Sequence, residues 1–194
     1  MDILLGHRLI LSSASPRRRE LLTEMGLPFT IDTDNRFNEC RTPDMNPDTI
    51  PAIMSEGKSY GFHRALEKDE ILLTADTMVI CDGRPLGKPS GPEEAHLMLS
   101  FLSGKTHHVV TAITLRTQSR KITASDSASV TFKTLSEGEI SYFINKYHPF
   151  DKAGAYAIQE WIGLIGITKI DGSFWTVMGL PTHLLYELLK EIVI

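Results

Sequence analysis

Apolar and polar positions along this chain follow two periods, and the two periods predict strands and helices in alternation. Continuous apolar runs and two-residue alternation predict strands over 8–11, 29–31, 71–81, 85–88, 108–115, 122–132 and 162–170. Apolar residues three or four positions apart predict helices over 16–25, 50–66, 92–102, 136–145 and 181–192. Residues 149–159 predict a short helix that turns into a strand. This alternation is typical of an α/β fold in which helices flank a central sheet.

Short polar motifs mark where these elements begin, reverse and end. Asp82-Gly83 and Asp171-Gly172 are typical of tight turns, so we expect a mixed sheet and not a purely parallel one. Ser136 and Glu139 form the pattern of a capping box at the start of a helix. Residues 32–51 are polar, contain prolines and have no periodicity. They predict a long loop, and loops of that length in compact domains are often functional.

The start of the first helix carries charge of the wrong sign for its position. Ser15 is a good N-cap and Pro16 suits the first helical position, which leaves Arg17, Arg18 and Arg19 in the first turn. A helix N-terminus already carries partial positive charge, so arginine there costs stability. Free backbone N–H groups and arginine forks together bind phosphate. We therefore predict a polyphosphate site at Arg17 and Arg18, and a solvated side chain for Arg19.

Composition excludes several classes of function. The formal net charge of −4 argues against nucleic-acid binding through a basic face, although a local basic pocket remains compatible with it. Cys40 and Cys81 belong to no CxxC or Cys/His cluster, so neither a structural zinc site nor a disulfide framework is expected. The chain has no signal-peptide pattern and no apolar run of membrane-spanning length, so we expect a cytoplasmic protein. Its 194 residues suffice for a single domain, 1–194, with two lobes.

Asp76 is the most informative single residue for chemistry, because it interrupts the apolar run of the 71–81 strand. An unpaired carboxylate there would be costly to bury. It either pairs with an arginine or with backbone amides, or it faces a cleft where it takes a proton from water or holds a divalent metal. Lys88 and Lys58 are either solvated lysines or phosphate contacts. By residue type alone, the Asp151–Lys152 stretch predicts a salt-linked turn. His107 and His108 alternate sides of a strand, so at most one of them faces a site, and we interpret them as structural histidines.

Several motifs resemble one known family. The stretch Ser13-Ala14-Ser15-Pro16-Arg17-Arg18-Arg19-Glu20-Leu21-Leu22 resembles the signature of the Maf family of nucleoside triphosphate pyrophosphatases. Further blocks follow in the family's order: Ala75-Asp76-Thr77-Met78-Val79, Gly87-Lys88-Pro89, Ser103-Gly104-Lys105-Thr106-His107, residues 151–159, Asp171-Gly172-Ser173 and Gly179-Leu180-Pro181. Ordered blocks that span nearly the whole chain do not match by chance.

The resemblance implies a fold, a reaction and a cofactor. The family has a Maf/ITPase-like mixed α/β fold whose two lobes surround a cleft, and it is usually a homodimer. It cuts between the α and β phosphates and uses Mg²⁺ or Mn²⁺. Arg17, Thr77 and Gln159 match the specificity positions of the branch that hydrolyses dTTP and UTP, and modified pyrimidine nucleotides are possible substrates of that branch.

The resemblance also assigns roles to single residues. Asp76 matches the family's proton acceptor and metal-contacting acid, and Glu39 matches a loop carboxylate near the metal. The phosphate-binding positions are matched by Ser13, Arg17, Arg18, Lys58 and Lys88. The chain departs from the pattern at Asn38, where aspartate is common, at Ser55-Glu56-Gly57-Lys58, where Arg-Glu-Lys is usual, and at Glu160, where glycine is common.

Two alternatives stay open at this point. The first is a nucleotide-binding regulator of septum formation or cell division that has no useful catalysis. The second is a pyrophosphatase for another nucleotide, ITP or 7-methyl-GTP. Asp76 and the basic set favour an active enzyme, and a comparison of substrates would separate the readings.

Overall fold

The computed structural model describes residues 3–40, 42 and 44–193. Within that part of the chain the strands are β1 (Arg8–Leu11), β2 (Phe29–Ile31), β3 (Glu70–Cys81), β4 (Arg84–Leu86), β5 (Thr106–Arg116), β6 (Lys121–Phe132) and β7 (Ile167–Asp171). The helices are α1 (Pro16–Glu24), α2 (Ile50–Tyr60), α3 (Pro92–Leu102), α4 (Glu137–Tyr147), α5 (Trp161–Gly166), α6 (Phe174–Met178) and α7 (Thr182–Ile192). None of these helices is long and apolar enough to cross a bilayer.

The strands form one mixed sheet, which confirms the predicted fold class. Its order is β2-β1-β3-β5-β6-β7, with β4 paired to β3. β1 runs parallel to both β2 and β3, whereas β4 is antiparallel to β3 and β7 is antiparallel to β6. The Asp82-Gly83 turn joins β3 to β4 with positive φ at both residues, as the hairpin motif predicts.

The chain divides into two compact units. The first unit comprises residues 1–76, 111–126 and 179–194, and the second comprises 77–110 and 127–178. The chain passes from the first unit to the second between Asp76 and Thr77, inside strand β3. It returns to the first unit between Val110 and Thr111, inside strand β5. The expectation of one domain whose two lobes surround a cleft stays a prediction.

Each unit has its own buried apolar residues. In the first unit β1 is buried from Leu9 to Leu11, as is usual for a parallel strand covered on both faces. Other side chains fully or almost fully buried there are Leu21, Leu22, Ile71, Leu72, Leu73, Leu185 and Leu189. The second unit has a core cluster that includes Val79, Leu99, Leu102, Val130, Phe132, Phe143, Tyr156 and Ile162.

Most predicted elements are confirmed, and three predictions are wrong. Residues 161–166 are a helix and not the start of a strand, so β7 begins only at Ile167. The 149–159 stretch has one 3-10 turn, Ala153–Ala155, and no strand. The second helix ends at Tyr60 and not at residue 66. The capping box of Ser136 and Glu139 is present at the start of α4. Pro43, part of the predicted loop, lies outside the described residues.

Candidate active site

The N-terminus of α1 has the arrangement that its sequence predicts. Ser15 is the N-cap residue and Pro16 is the first helical residue, so Arg17 and Arg18 follow in the first turn. The Ser15 side chain does not cap the helix. Its backbone N–H donates to the Oγ atom of Ser13 at 3.3 Å, which folds the serine-rich turn back on itself.

Arg18 binds three segments that are far apart in sequence. Its Nε–H donates to the Gly179 carbonyl at 2.8 Å, and its Nη1 group donates to Ser13 Oγ at 3.1 Å and to the Ala75 carbonyl at 3.0 Å. Burial lowers the pKa of Arg18 to about 10, which still leaves the group charged at neutral pH. Asp76 and Glu39 oppose that shift electrostatically. Arg18 thus organises the site in addition to any contact with a phosphate.

Asp76 lies on β3 and is the last residue of the 1–76 segment of the first unit. Only 6% of the residue is exposed. Its Oδ1 atom accepts a 2.6 Å hydrogen bond from Nζ of Lys58. The same Nζ lies 2.8 Å from Oε1 of Glu39. Asp76 is therefore paired with a lysine, and one ammonium group lies against two carboxylates.

This group of three side chains comes from three different elements. Asp76 lies on β3, Lys58 projects from α2, and Glu39 belongs to the long loop before α2. The structure thus brings together both predicted metal-binding acids and one predicted phosphate-binding lysine. No cluster of three or more His, Cys, Asp and Glu residues that could hold a metal occurs among the described residues. Two carboxylates that can share one cation remain, and Mg²⁺ is commonly held by one or two carboxylates together with substrate phosphates.

The other predicted site residues belong to the second unit. Thr77 directly follows Asp76 on β3, and Lys88 follows β4 with an exposed side chain. Gln159 is exposed in the turn before α5. The Gly154 N–H donates to the Gly87 carbonyl at 3.0 Å and ties the 151–159 stretch to the segment that carries Lys88. That these residues face the same nucleotide as Asp76 stays a prediction.

Lys152 confirms the salt-linked turn predicted beside Asp151. The residue is buried, and its Nζ donates to Asp151 Oδ1 at 2.8 Å and lies 3.3 Å from Glu160 Oε1. The departure at Glu160 from the family's glycine thus supplies a counter-ion to a buried lysine. Its consequence for base selectivity stays a prediction.

His107 is the structural histidine that the sequence predicts. It is fully buried on β5, and its Nε2 atom lies 2.7 Å from the Tyr156 hydroxyl. Burial lowers the pKa of His107 to about 4, so the ring is neutral at physiological pH. Burial also raises the pKa of the Tyr156 hydroxyl. Neither group is suited to proton transfer near neutral pH.

The sequence matches one protein-family model over nearly its whole length. The model described as Maf-like protein matches residues 8–192. The chain belongs to the Maf family. This confirms the resemblance that the Ser-Pro-Arg-Arg signature and the later blocks indicate.

Curated members of the Maf family are similar over nearly the whole chain. A protein from Bacteroides thetaiotaomicron named dTTP/UTP pyrophosphatase is 43% identical over 186 residues, which cover 96% of each chain. A Christiangramia forsetii protein of the same name is 42% identical over 190 residues, 98% of this chain and 96% of its own. One from Porphyromonas gingivalis is 42% identical over 193 residues, 98% and 97% respectively. Among solved structures, a Coxiella burnetii HAM1 protein gives a TM-score of 0.41 at 14% identity and covers 65% of this chain and 73% of its own; the family assignment does not depend on it.

Sequence reasoning missed two contributions to this Maf-family site. The carbonyl groups of Ala75 and Gly179 accept hydrogen bonds from Arg18, and no side-chain pattern indicates such a role. The attachment of the Glu39 loop to α2 was also missed. The signal that could have indicated it is the pair of glycines at the end of that helix, Gly57 and Gly61. Glycine lowers the stability of a helix, so its presence there indicates that another segment packs closely.

Proposed function

We propose that this protein hydrolyses dTTP and UTP to the nucleoside monophosphate and pyrophosphate. The observation that carries the proposal is the contact of the Lys58 ammonium with both Glu39 and Asp76. This contact places a carboxylate that can accept a proton from water beside a positive charge. It occurs in a chain whose relatives bear the name dTTP/UTP pyrophosphatase. We also propose a cytoplasmic homodimer, for which light scattering of the purified protein should give twice the mass of one chain.

The chemistry follows from charge. A triphosphate repels an incoming nucleophile, so the site must offset its charge before water can attack the α-phosphorus. Arg17, Arg18 and Lys88 supply positive charge and stabilise the charge that develops on the leaving pyrophosphate. Ser13 and the α1 N-terminus add hydrogen-bond donors for phosphate oxygens. Asp76 orients the attacking water and accepts its proton.

Glu39 and Asp76 fit a divalent cation, because both offer carboxylate oxygens within 3 Å of one existing positive charge. A bound Mg²⁺ or Mn²⁺ would neutralise phosphate charge and polarise the phosphoryl group. Lys58 keeps the two carboxylates together in the protein alone, and its ammonium can also donate a hydrogen bond to a phosphate oxygen.

Selectivity for the base is proposed to come from Arg17, Thr77 and Gln159. The amide of Gln159 offers both a donor and an acceptor, as the edge of a pyrimidine requires. Lys152 pairs with Glu160 and so keeps a carboxylate beside Gln159 in place.

The deciding experiment measures pyrophosphate release from UTP, dTTP, ITP and 7-methyl-GTP with Mg²⁺ and with Mn²⁺. We expect kcat/KM to be highest for UTP and dTTP. A higher value for ITP or 7-methyl-GTP would contradict the proposed selectivity. Nucleotide binding without release of pyrophosphate from any of the four would favour the regulator instead.

A further inference from the structure

The aromatic ring of Phe37 lies directly on helix α2. A Cβ atom built at Gly57 would come within 2.3 Å of the ring carbons Cε2 and Cζ of Phe37. A Cβ built at Gly61 would come within 2.6 Å of the backbone nitrogen and of Cβ of the same phenylalanine. Contacts under 3.0 Å are essentially never seen for a real Cβ, so the loop lies this close to the helix only because both positions are glycine.

Hydrogen bonds fix the same loop to the same turn of α2. The Asn35 side chain donates from Nδ2 to the Lys58 carbonyl at 2.6 Å, and its Oδ1 accepts from the Phe37 N–H at 2.9 Å. The Arg36 N–H donates to the Gly61 carbonyl at 2.7 Å. The loop is therefore attached at the helical turn that bears Lys58, and Phe37 is the large apolar side chain of that attachment.

Glu39 follows Phe37 by two residues, and its side chain is 44% exposed. Burial of its own side chain therefore does not fix where its carboxylate lies. Its Oε1 atom nevertheless lies 2.8 Å from Lys58 Nζ, one residue along the helix from Gly57. The position of the carboxylate depends on how the backbone of residues 35–37 packs on the helix.

We infer that Phe37 is a positioning residue, which packs on Gly57 and thereby holds the Glu39 carboxylate at Lys58 and Asp76. The function of Glu39 rests on the proposed pyrophosphatase activity, whereas the packing of Phe37 on Gly57 does not. In this chain Gly57 stands in a stretch that departs from the family's usual Arg-Glu-Lys, and the departure provides the space that the Phe37 ring fills.

The first test is Gly57→Ala. Alanine favours a helix over glycine, but its Cβ displaces the Phe37 ring. We expect kcat/KM to fall by about ten- to a hundredfold, as for loss of other groups that orient ligands, with no loss of α2 helicity by circular dichroism. The matched control is Gly138→Ala in α4, where an added Cβ meets nothing within 4 Å and kcat/KM should not change. Wild-type kcat/KM for Gly57→Ala would overturn the inference.

The second test is a double-mutant cycle. If Phe37 acts through Glu39, then Phe37→Ala and Glu39→Gln should each lower kcat/KM to a similar level, and the double variant should fall no further. A loss of stability alone would instead give effects that multiply. Multiplying effects would therefore overturn the inference.

A third measurement does not depend on activity. A nitroxide label on Cys40, which is exposed beside Glu39 while Cys81 is buried, reports the motion of this loop. We expect Gly57→Ala to sharpen the spectrum and Gly138→Ala to leave it unchanged. A sharpened spectrum in a protein without pyrophosphate release would uphold the packing and reject the proposed function. Pyrophosphate release by the wild type, with an unchanged spectrum in Gly57→Ala, would reject the role of Phe37 alone.

Discussion

Lys58 donates a 2.6 Å hydrogen bond to Asp76, an acid whose side chain is only 8% exposed. A carboxylate this buried needs a counter-ion, and the same ammonium also contacts Glu39. One lysine therefore stabilises the very acids proposed for catalysis, so its replacement should affect both stability and turnover.

Replacement of that lysine tests the first consequence. Lys58→Met leaves the Asp76 carboxylate buried without this partner, and we expect the free energy of unfolding at pH 7 to fall by about 3 kcal/mol. Lys190→Met, which removes an exposed lysine three residues from Glu187, should change it by less than about 0.5 kcal/mol. Urea denaturation of both variants gives the comparison. A loss of unfolding free energy for Lys58→Met as small as that for Lys190→Met would show that the Lys58 contacts add little to stability.

Replacement of the proposed base tests the chemistry. Asp76→Asn keeps the shape of the side chain but cannot accept a proton from water, so we expect kcat for UTP to fall by about 10²–10⁴-fold. Nucleotide affinity, measured by calorimetry, should be retained because the basic side chains are unchanged. The exposed Asp48→Asn is the control. Undiminished turnover in Asp76→Asn would rule out its role as the base.

Arg18 should not tolerate a conservative change. The Nε and Nη1 groups reach Gly179, Ser13 and Ala75 together, and a lysine has a single ammonium that cannot form all three hydrogen bonds. We expect Arg18→Lys to lower the free energy of unfolding by about 2 kcal/mol and to reduce kcat/KM as well. The same substitution at the exposed neighbouring residue, Arg19→Lys, should change neither the free energy of unfolding nor kcat/KM. A neutral Arg18→Lys would mean that the three contacts are dispensable.

His107 makes stability depend on pH. Its pKa is about 4 in the folded protein, whereas an unfolded histidine titrates near 6.5. The unfolded chain therefore takes up the proton first, and the stabilisation that is complete above pH 6.5 is lost as the pH falls towards 4. The loss should reach roughly 3 kcal/mol over that range.

Matched histidine variants would isolate this effect. His107→Gln should remove most of the pH dependence of the unfolding free energy between pH 7 and 5, a range in which the carboxylates stay ionised, at some cost in stability at pH 7. His108→Gln should keep most of it, because burial contributes more to the low pKa of His107 than the charge of the exposed His108 does. Identical pH profiles for wild type and His107→Gln would contradict the assignment.

Local signals in the sequence sufficed for much of the fold. Pro16 at the start of α1, the Asp82-Gly83 hairpin and the capping box at Ser136 each act within a few residues, and each is found where it was predicted. The strand predicted over 162–170 is wrong for residues 162–166, because a short apolar run of this kind suits a strand and a buried helix equally.

The site was predictable in its residue types but not in its contacts. The carboxylates and cations stand out in the sequence, whereas the partners of Arg18 lie up to 161 residues away and two of them are backbone carbonyls. The packing of Phe37 on Gly57 is likewise set by tertiary structure. In the sequence alone, Gly57 only weakens the prediction of a helix and gives no sign of the aromatic ring that packs on it.

The hydrogen bond from Arg18 to Gly179 has a consequence for synthesis on the ribosome. The guanidinium emerges early, but the carbonyl that it needs is translated 161 residues later, just before the last helix. A nascent chain can form β1 and α1 long before this bond can close. Premature termination ahead of Gly179 should therefore yield a polypeptide that contains every acid and base of the site but lacks one of the three anchors of Arg18.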